Sequence, residues 1–255
     1  MIKIAVYGKG GIGKSTTISN VAASLAESGL KVMQIGCDPK ADSTLQLRHG
    51  EPVPTVLKLY QQKKNNFALE DMVRIGYNGV ICVEAGGPTP GLGCAGRGII
   101  TALEKLKEKG AYETYKPDVV FYDVLGDVVC GGFSMPMRKG YADKVFIVTS
   151  GENMSIHAAA NIAMAVENFK NRGYASLGGL ILNRRNVRRE EEKAAELAGD
   201  FHTEIIGTLS RSEQVTLAEE EGKILLEYAP DSKMAEEYRV LARQMMEVCR
   251  KEEPC

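Results

Sequence analysis

A doubly wound α/β fold with a mostly parallel sheet is what this sequence predicts, on three observations. Short apolar runs without proline alternate with longer stretches of helical apolar spacing along the chain. The first run, Ile2 to Tyr7, passes directly into the glycine-rich stretch Gly8-Lys9-Gly10-Gly11-Ile12-Gly13-Lys14-Ser15-Thr16. Two later runs lead straight into aspartates, Asp38 and Asp123, where sheets of this kind gather their ligand-binding groups.

In order, the strand at 2–7 precedes a helix from Lys14 to Ser28, with Ile18, Val21, Ala22 and Leu25 on one face and Gly29 as its C-cap. Lys31 to Gly36 is the next strand, followed by a loop over 38–43 because Pro39 prevents a helix from starting at once. Val56, Leu57 and Tyr60 have helical spacing, and the polar run 61–66 reads as a solvated loop. Val80 to Glu84 is a strand. The stretch 85–98 that follows is too rich in glycine for a regular element and suggests backbone wrapped closely around something.

A helix is expected over Ile99 to Lys109 with Gly110 at its C-cap, then strands at Asp118 to Asp123 and Val145 to Thr149. A helix from Ser155 to Phe169, a strand from Leu177 to Leu182, a charged helix from Arg188 to Ala198 and a strand from Glu204 to Leu209 follow. Ser232 to Arg250 closes the chain as an amphipathic helix capped by Asp231. No repeat or linker divides the sequence, so residues 1–255 are expected to form one domain.

With 32 basic and 33 acidic residues the net charge is −1, which gives no footprint for nucleic acid. No apolar run reaches membrane-spanning length, and the first strand begins at once, leaving no room for a signal peptide. Six cysteines are too few for a secreted disulfide scaffold. Beside a nucleotide loop they point to a reducing, cytoplasmic setting and to metal or thiol chemistry. The three histidines have no ligand spacing, and the basic run Arg184, Arg185, Arg188, Arg189 reads as a solvated face.

The stretch 8–15 contains G-x-x-x-x-G-K-S, the phosphate-cradling loop of nucleoside triphosphatases. Its place between a strand and a helix N-terminus aims unpaired N–H groups and a positive dipole end at a polyphosphate. Lys14 would reach the β- and γ-oxygens, and the Ser15 hydroxyl would hold Mg²⁺. Asp38 is placed to meet the metal or the attacking water, with an Asp-Pro turn followed by a capped helix as the alternative, stronger for Asp42 than for Asp38. Asp123 is the second carboxylate associated with the metal. Asp127, four residues further on, would orient or deprotonate water, with an N-cap or loop turn as the alternative. Lys9 cannot share the place Lys14 occupies. It is better placed to reach a nucleotide in a second subunit than to stand as a solvated lysine, a pattern that resembles the deviant Walker A class of dimeric P-loop NTPases.

Cys94 and Cys130 each lie among glycines after an expected strand on the nucleotide side. Two thiolates fall short of the four an iron–sulfur cube takes, but a homodimer would supply four around a cluster on its two-fold axis. A zinc shared by two chains, an intersubunit disulfide, or two buried cysteines without a ligand role remain open from spacing alone.

GKGGIGKST (8–16), GCDPKADST (36–44), VEAGGPTPGLGCAGRG (83–98) and YDVLGDVVCGGF (122–133) together resemble the nitrogenase iron protein family over nearly the whole chain. The resemblance implies Cys94 and Cys130 as ligands of one 4Fe–4S cluster per homodimer. It implies Lys9 on the opposite nucleotide, Lys14 and Ser15 on phosphate and Mg²⁺, and Asp38, Asp42, Asp123 and Asp127 in switching and hydrolysis. It places Asn183 at adenine and Arg97 on a partner-docking face. The implied activity is electron transfer driven by MgATP to a larger catalytic reductase, with ferredoxin or flavodoxin upstream. Partners of related short forms act on chlorophyll precursors, nickel tetrapyrroles or methylthio-alkanes. Ser212 stands where the family carries aspartate near adenine, and Thr216 where it carries glutamine. A non-redox dimeric switch ATPase and an iron–sulfur carrier are the rival readings. The first needs no paired cysteines, and the second normally uses C-x-x-C.

Overall fold

The computed structural model describes residues 1–87, 95–126, 135–138, 140–170 and 173–251. Strand β1 (Ile2–Tyr7) runs into the glycine loop and α1 (Lys14–Glu27), and β2 (Val32–Cys37) returns alongside. Helices α2 (Val56–Lys63) and α3 (Leu69–Met72) lead to a short β3 (Val73–Ile75) and to β4 (Ile81–Glu84). Then come α4 (Ala95–Glu108), α5 (Ala111–Tyr115) and β5 (Val119–Val124). The second half alternates β6 (Lys144–Thr149), α6 (Asn153–Lys170), β7 (Ser176–Asn183), α7 (Glu190–Asp200) and β8 (Ile205–Leu209). It ends with α8 (Glu213–Glu220), α9 (Leu225–Tyr228) and α10 (Lys233–Arg250).

The strands lie in the order β3-β4-β2-β5-β1-β6-β7-β8. Every pairing is parallel except β3 with β4. Because β5 sits between β1 and β2, the chain leaves β1 in one direction and crosses to strands on both sides. That opens a crevice beyond the strand ends where the glycine loop lies. The period of two sorts side chains between two cores. Ala5, Tyr7, Met33, Ile35, Val120 and Tyr122 pack towards α4 and α6, while Ile4, Val6, Val32, Val119 and Phe121 pack towards α1 and α10. By the same parity Gln34, Gly36, Glu84 and Asp123 lie on the α1 face, at or near the carboxyl ends of β2, β4 and β5.

Three expectations are corrected. The polar run after Tyr60 continues α2 as far as Lys63, because Thr55 accepts the N–H of Lys58 at 3.3 Å and Gln and Lys suit an exposed helical turn. The last helix is capped by Ser232, whose Oγ accepts the Ala235 N–H at 3.2 Å, and not by Asp231. Helix α4 begins at Ala95, four residues before the expected start.

Candidate nucleotide site

Gly13 carries the turn from loop to helix at φ +90°, a left-handed conformation that a side chain would strain. A Cβ there would also come within 2.6 Å of Asn183 Nδ2. No side chain caps α1, and its first turn holds no acidic residue, so its N–H groups are left for an anion. Gly8, Lys9, Gly10, Gly11, Gly13, Lys14, Ser15 and Thr16 line one cavity of about 890 Å³ with Asp38, Asp42 and Asn183. Ile12 is buried beneath the loop, with its carbonyl accepting the Asn183 Nδ2–H at 2.7 Å. This strand–loop–helix cradle fits a nucleoside polyphosphate.

Behind the loop the polar groups on the α1 face form a buried network. Lys14 Nζ donates to Asp123 Oδ1, and Ser43 Oγ donates to Asp123 Oδ2 at 2.5 Å. Gln34 Nε2 donates to the Ser43 carbonyl at 2.9 Å, fixing that residue from below. Next along the chain, the Thr44 N–H and hydroxyl both donate to Glu84 Oε1, at 2.8 and 2.6 Å. The other oxygen, Glu84 Oε2, is buried with no hydrogen-bond partner. Burial pushes the Glu84 carboxyl up to about 8 against the pull of the Thr44 hydrogen bonds, with the charges of Asp123 and Asp42 adding to the rise. At neutral pH this side chain therefore holds a proton. Room for the network comes from Gly36, which pairs in register with both Glu84 and Asp123. A Cβ on Gly36 would overlap Glu84 Oε2 and approach Ser43 Cβ to 2.7 Å.

The structure gathers most of the expected residues. Asp38 turns into its own loop, where its Oδ1 accepts the Lys40 N–H at 2.9 Å. Asp123 is buried behind Lys14, and Arg97 stands exposed in the first turn of α4. Asp127, Cys94 and Cys130 lie outside the described residues. Among the described residues no three His, Cys, Asp or Glu side chains gather as a metal site. Burial raises the thiols of Cys82 and Cys249 to about 12 and that of Cys37 higher still, which makes them poor thiolate ligands at neutral pH.

Within the basic run, Arg185 does more than face solvent. Its Nη2 donates to the Gly11 carbonyl at 2.8 Å and braces the phosphate loop. Glu190, buried at the start of α7, holds that segment by accepting the Arg185 and Val187 N–H groups at 3.0 and 3.4 Å. Arg185, which lines the cavity, and Thr44 and Glu84, which lie behind it and do not line it, were not picked out from the sequence. The available signal was parity, since Glu84 closes an apolar run on the face where Gly36 leaves a gap.

This geometry is that of the P-loop NTPase fold. Among solved structures it resembles the cell division ATPase MinD of Pyrococcus furiosus (TM-score 0.74, 22% identity, 97% of this chain and 99% of that one). A ParA family ATPase from Chlorobium tepidum is also similar (TM-score 0.71, 16% identity, 95% and 98%). At such identities the likeness shows the fold alone.

The family is shown by sequence. A model of the 4Fe–4S iron–sulfur cluster binding proteins, NifH/frxC family, matches residues 2–254, and the chain belongs to that family. It is 49% identical to a nitrogenase iron protein of Methanococcus voltae over 97% of this chain and 89% of that protein. It is 50% identical to one from Methanospirillum hungatei over 96% and 88%. Membership makes the chain a nitrogenase reductase-like, ATP-hydrolysing oxidoreductase component with MgATP and a 4Fe–4S cluster as cofactors. No helix among the described residues is long and apolar enough to cross a membrane.

Proposed function

We propose that residues 1–255 act as one domain of a homodimer that shares a single 4Fe–4S cluster through Cys94 and Cys130 of each copy. It passes one electron at a time to a larger catalytic reductase. The cluster, when bound, supplies the electron; the residues of this chain bind the nucleotide and set when transfer is allowed. Lys14 and the α1 N-terminus hold the β- and γ-phosphates, Ser15 holds Mg²⁺, and Lys9 reaches the nucleotide of the partner subunit. Asp38 and Asp127 orient water and carry its proton. Asn183 meets adenine, and the exposed Arg97 docks the reductase. Ferredoxin or flavodoxin reduces the dimer.

The observation that carries this reading is the buried junction Lys14–Asp123–Ser43. Polyphosphate oxygens that compete with Asp123 for Lys14 disturb both the 38–44 segment and the strand that leads to Asp127 and Cys130. Nucleotide chemistry is thereby tied to the chain segments that carry the cluster, the kind of coupling P-loop switches use.

Anaerobic purification tests it. The expected result is a brown dimer whose iron and sulfide amount to one cluster per two chains, lost in Cys94→Ser and in Cys130→Ser. A colourless monomer free of sulfide would sink the reading and leave the fold standing.

A further inference from the structure

We propose that Glu84 is a positioning residue that couples the 38–44 segment, and through it the nucleotide, to the stem Ala85-Gly86-Gly87 of the segment that carries Cys94. The proposal takes its purpose from the electron-donor reading, although its test does not depend on that reading.

The 38–44 segment meets this stem at two points. At one, the Thr44 N–H and hydroxyl grip Glu84 Oε1 at 2.8 and 2.6 Å, one residue after Ser43 engages Asp123. At the other, Gly87 lies so close to Pro39 that a Cβ would overlap the proline ring. The rest of the stem is tied to fixed structure. The Ala85 N–H donates to the Gly36 carbonyl at 2.8 Å, the Ala85 carbonyl accepts the Leu57 N–H at 3.1 Å, and Gly86 packs against Thr55. A rearrangement of Ser43 and Thr44 therefore cannot leave Glu84 in place without breaking two hydrogen bonds inside a solvent-free site.

The unpartnered Oε2 is the second observation. A side chain there only to fill space would need no carboxyl, and a buried oxygen without a partner is costly to keep. It is retained beside Gly36, the one position in register with both Glu84 and Asp123. Because Glu84 is neutral at pH 7, glutamine is its close mimic: one oxygen still accepts from Thr44, and an N–H group replaces the carboxyl O–H. Leucine keeps the volume and removes the acceptor.

The test is amide hydrogen exchange of the 81–87 stretch in the full chain with MgATP and with MgADP, alongside MgATP affinity. Wild-type stem exchange is expected to differ between the two nucleotides, and Glu84→Gln to keep that difference. Glu84→Leu is expected to cut it about fivefold to tenfold, as loss of two buried hydrogen bonds implies, while MgATP affinity stays within about threefold. Should Glu84→Leu fail to fold, Thr44→Val takes its place with an expected cut of about threefold. The proposal is overturned by a wild-type stem indifferent to the nucleotide or by an undiminished response in the leucine variant (or in Thr44→Val where that replaces it). It is also overturned by a glutamine variant as uncoupled as the leucine one. Iron and sulfide in the same wild-type preparation report separately on the electron-donor reading: protein without a cluster but with a responsive stem sinks that reading and keeps Glu84 as a switch residue.

Discussion

Glu84→Gln also makes a quantitative prediction about stability against pH. The carboxyl rises from 4.5 to about 8 on folding, so between those values the folded chain binds the proton and the unfolded chain does not. Linkage then fixes the sign: the contribution of this group is fully present below about pH 4.5, falls as pH rises, and is gone above about pH 8. A gap of about 3.5 units (8 − 4.5) at about 1.4 kcal/mol per unit is a fall of about 4 to 5 kcal/mol. Glutamine does not titrate. Urea unfolding of cluster-free wild type and variant, at fixed protein concentration from pH 5 to 8.5, should show the stability difference between them shifting in the variant's favour as pH rises. The shift should level off near the upper end. The Thr44 hydrogen bonds alone would pull the carboxyl down, so the outcome decides whether burial wins. Parallel curves, within about 1 kcal/mol across the window, would refute a buried neutral Glu84.

Other variants test other parts. Gly126→Ala puts a Cβ onto the backbone of Gly8, where no side chain can yield, so MgATP affinity measured by calorimetry should fall at least about tenfold. Arg185→Ala removes the donor to the Gly11 carbonyl and should weaken MgATP about threefold to tenfold, with little change in melting temperature. Ser232→Ala removes the cap of α10 and should cost about 1 kcal/mol in chemical denaturation, leaving nucleotide affinity unchanged; Asp231→Ala should cost much less.

Most of the fold was legible because buried parallel strands are apolar runs and the long helices carry one apolar stripe. Ile2–Tyr7, Val119–Val124 and Lys233–Arg250 appear within a residue or two of their expected bounds. The short β3 was not legible: three residues on a sheet edge have too little pattern, and its middle residue is a partly buried arginine. In the site, the glycine loop and Asp123 announced themselves by spacing. Arg185 did not, since a basic run beside acidic residues reads as surface until the β7–α7 turn folds it back over Gly11. Glu84 was hidden for another reason. Its partner Thr44 is forty positions away and its neighbour Gly36 further still, so only the sheet register makes them a group.

That hidden group also bears on why solved structures of MinD and ParA relatives, alike in fold at around 20% identity, do not settle what this chain does. A strand–glycine-loop–helix cradle binds a polyphosphate through backbone N–H groups, and backbone geometry survives extensive sequence change. What the nucleotide is used for depends on which segments are joined to the loop. Here Lys14 reaches Asp123, Asp123 reaches Ser43, and Thr44 reaches Glu84 at the stem of a segment that carries a cysteine. Asp123, on β5, precedes the other cysteine, Cys130, by seven positions in the sequence. Each route starts at the phosphate loop and enters a chain segment that, in sequence, carries one of the two cysteines proposed as ligands. In the proposed electron donor these routes would let the nucleotide act on both cysteine-bearing segments.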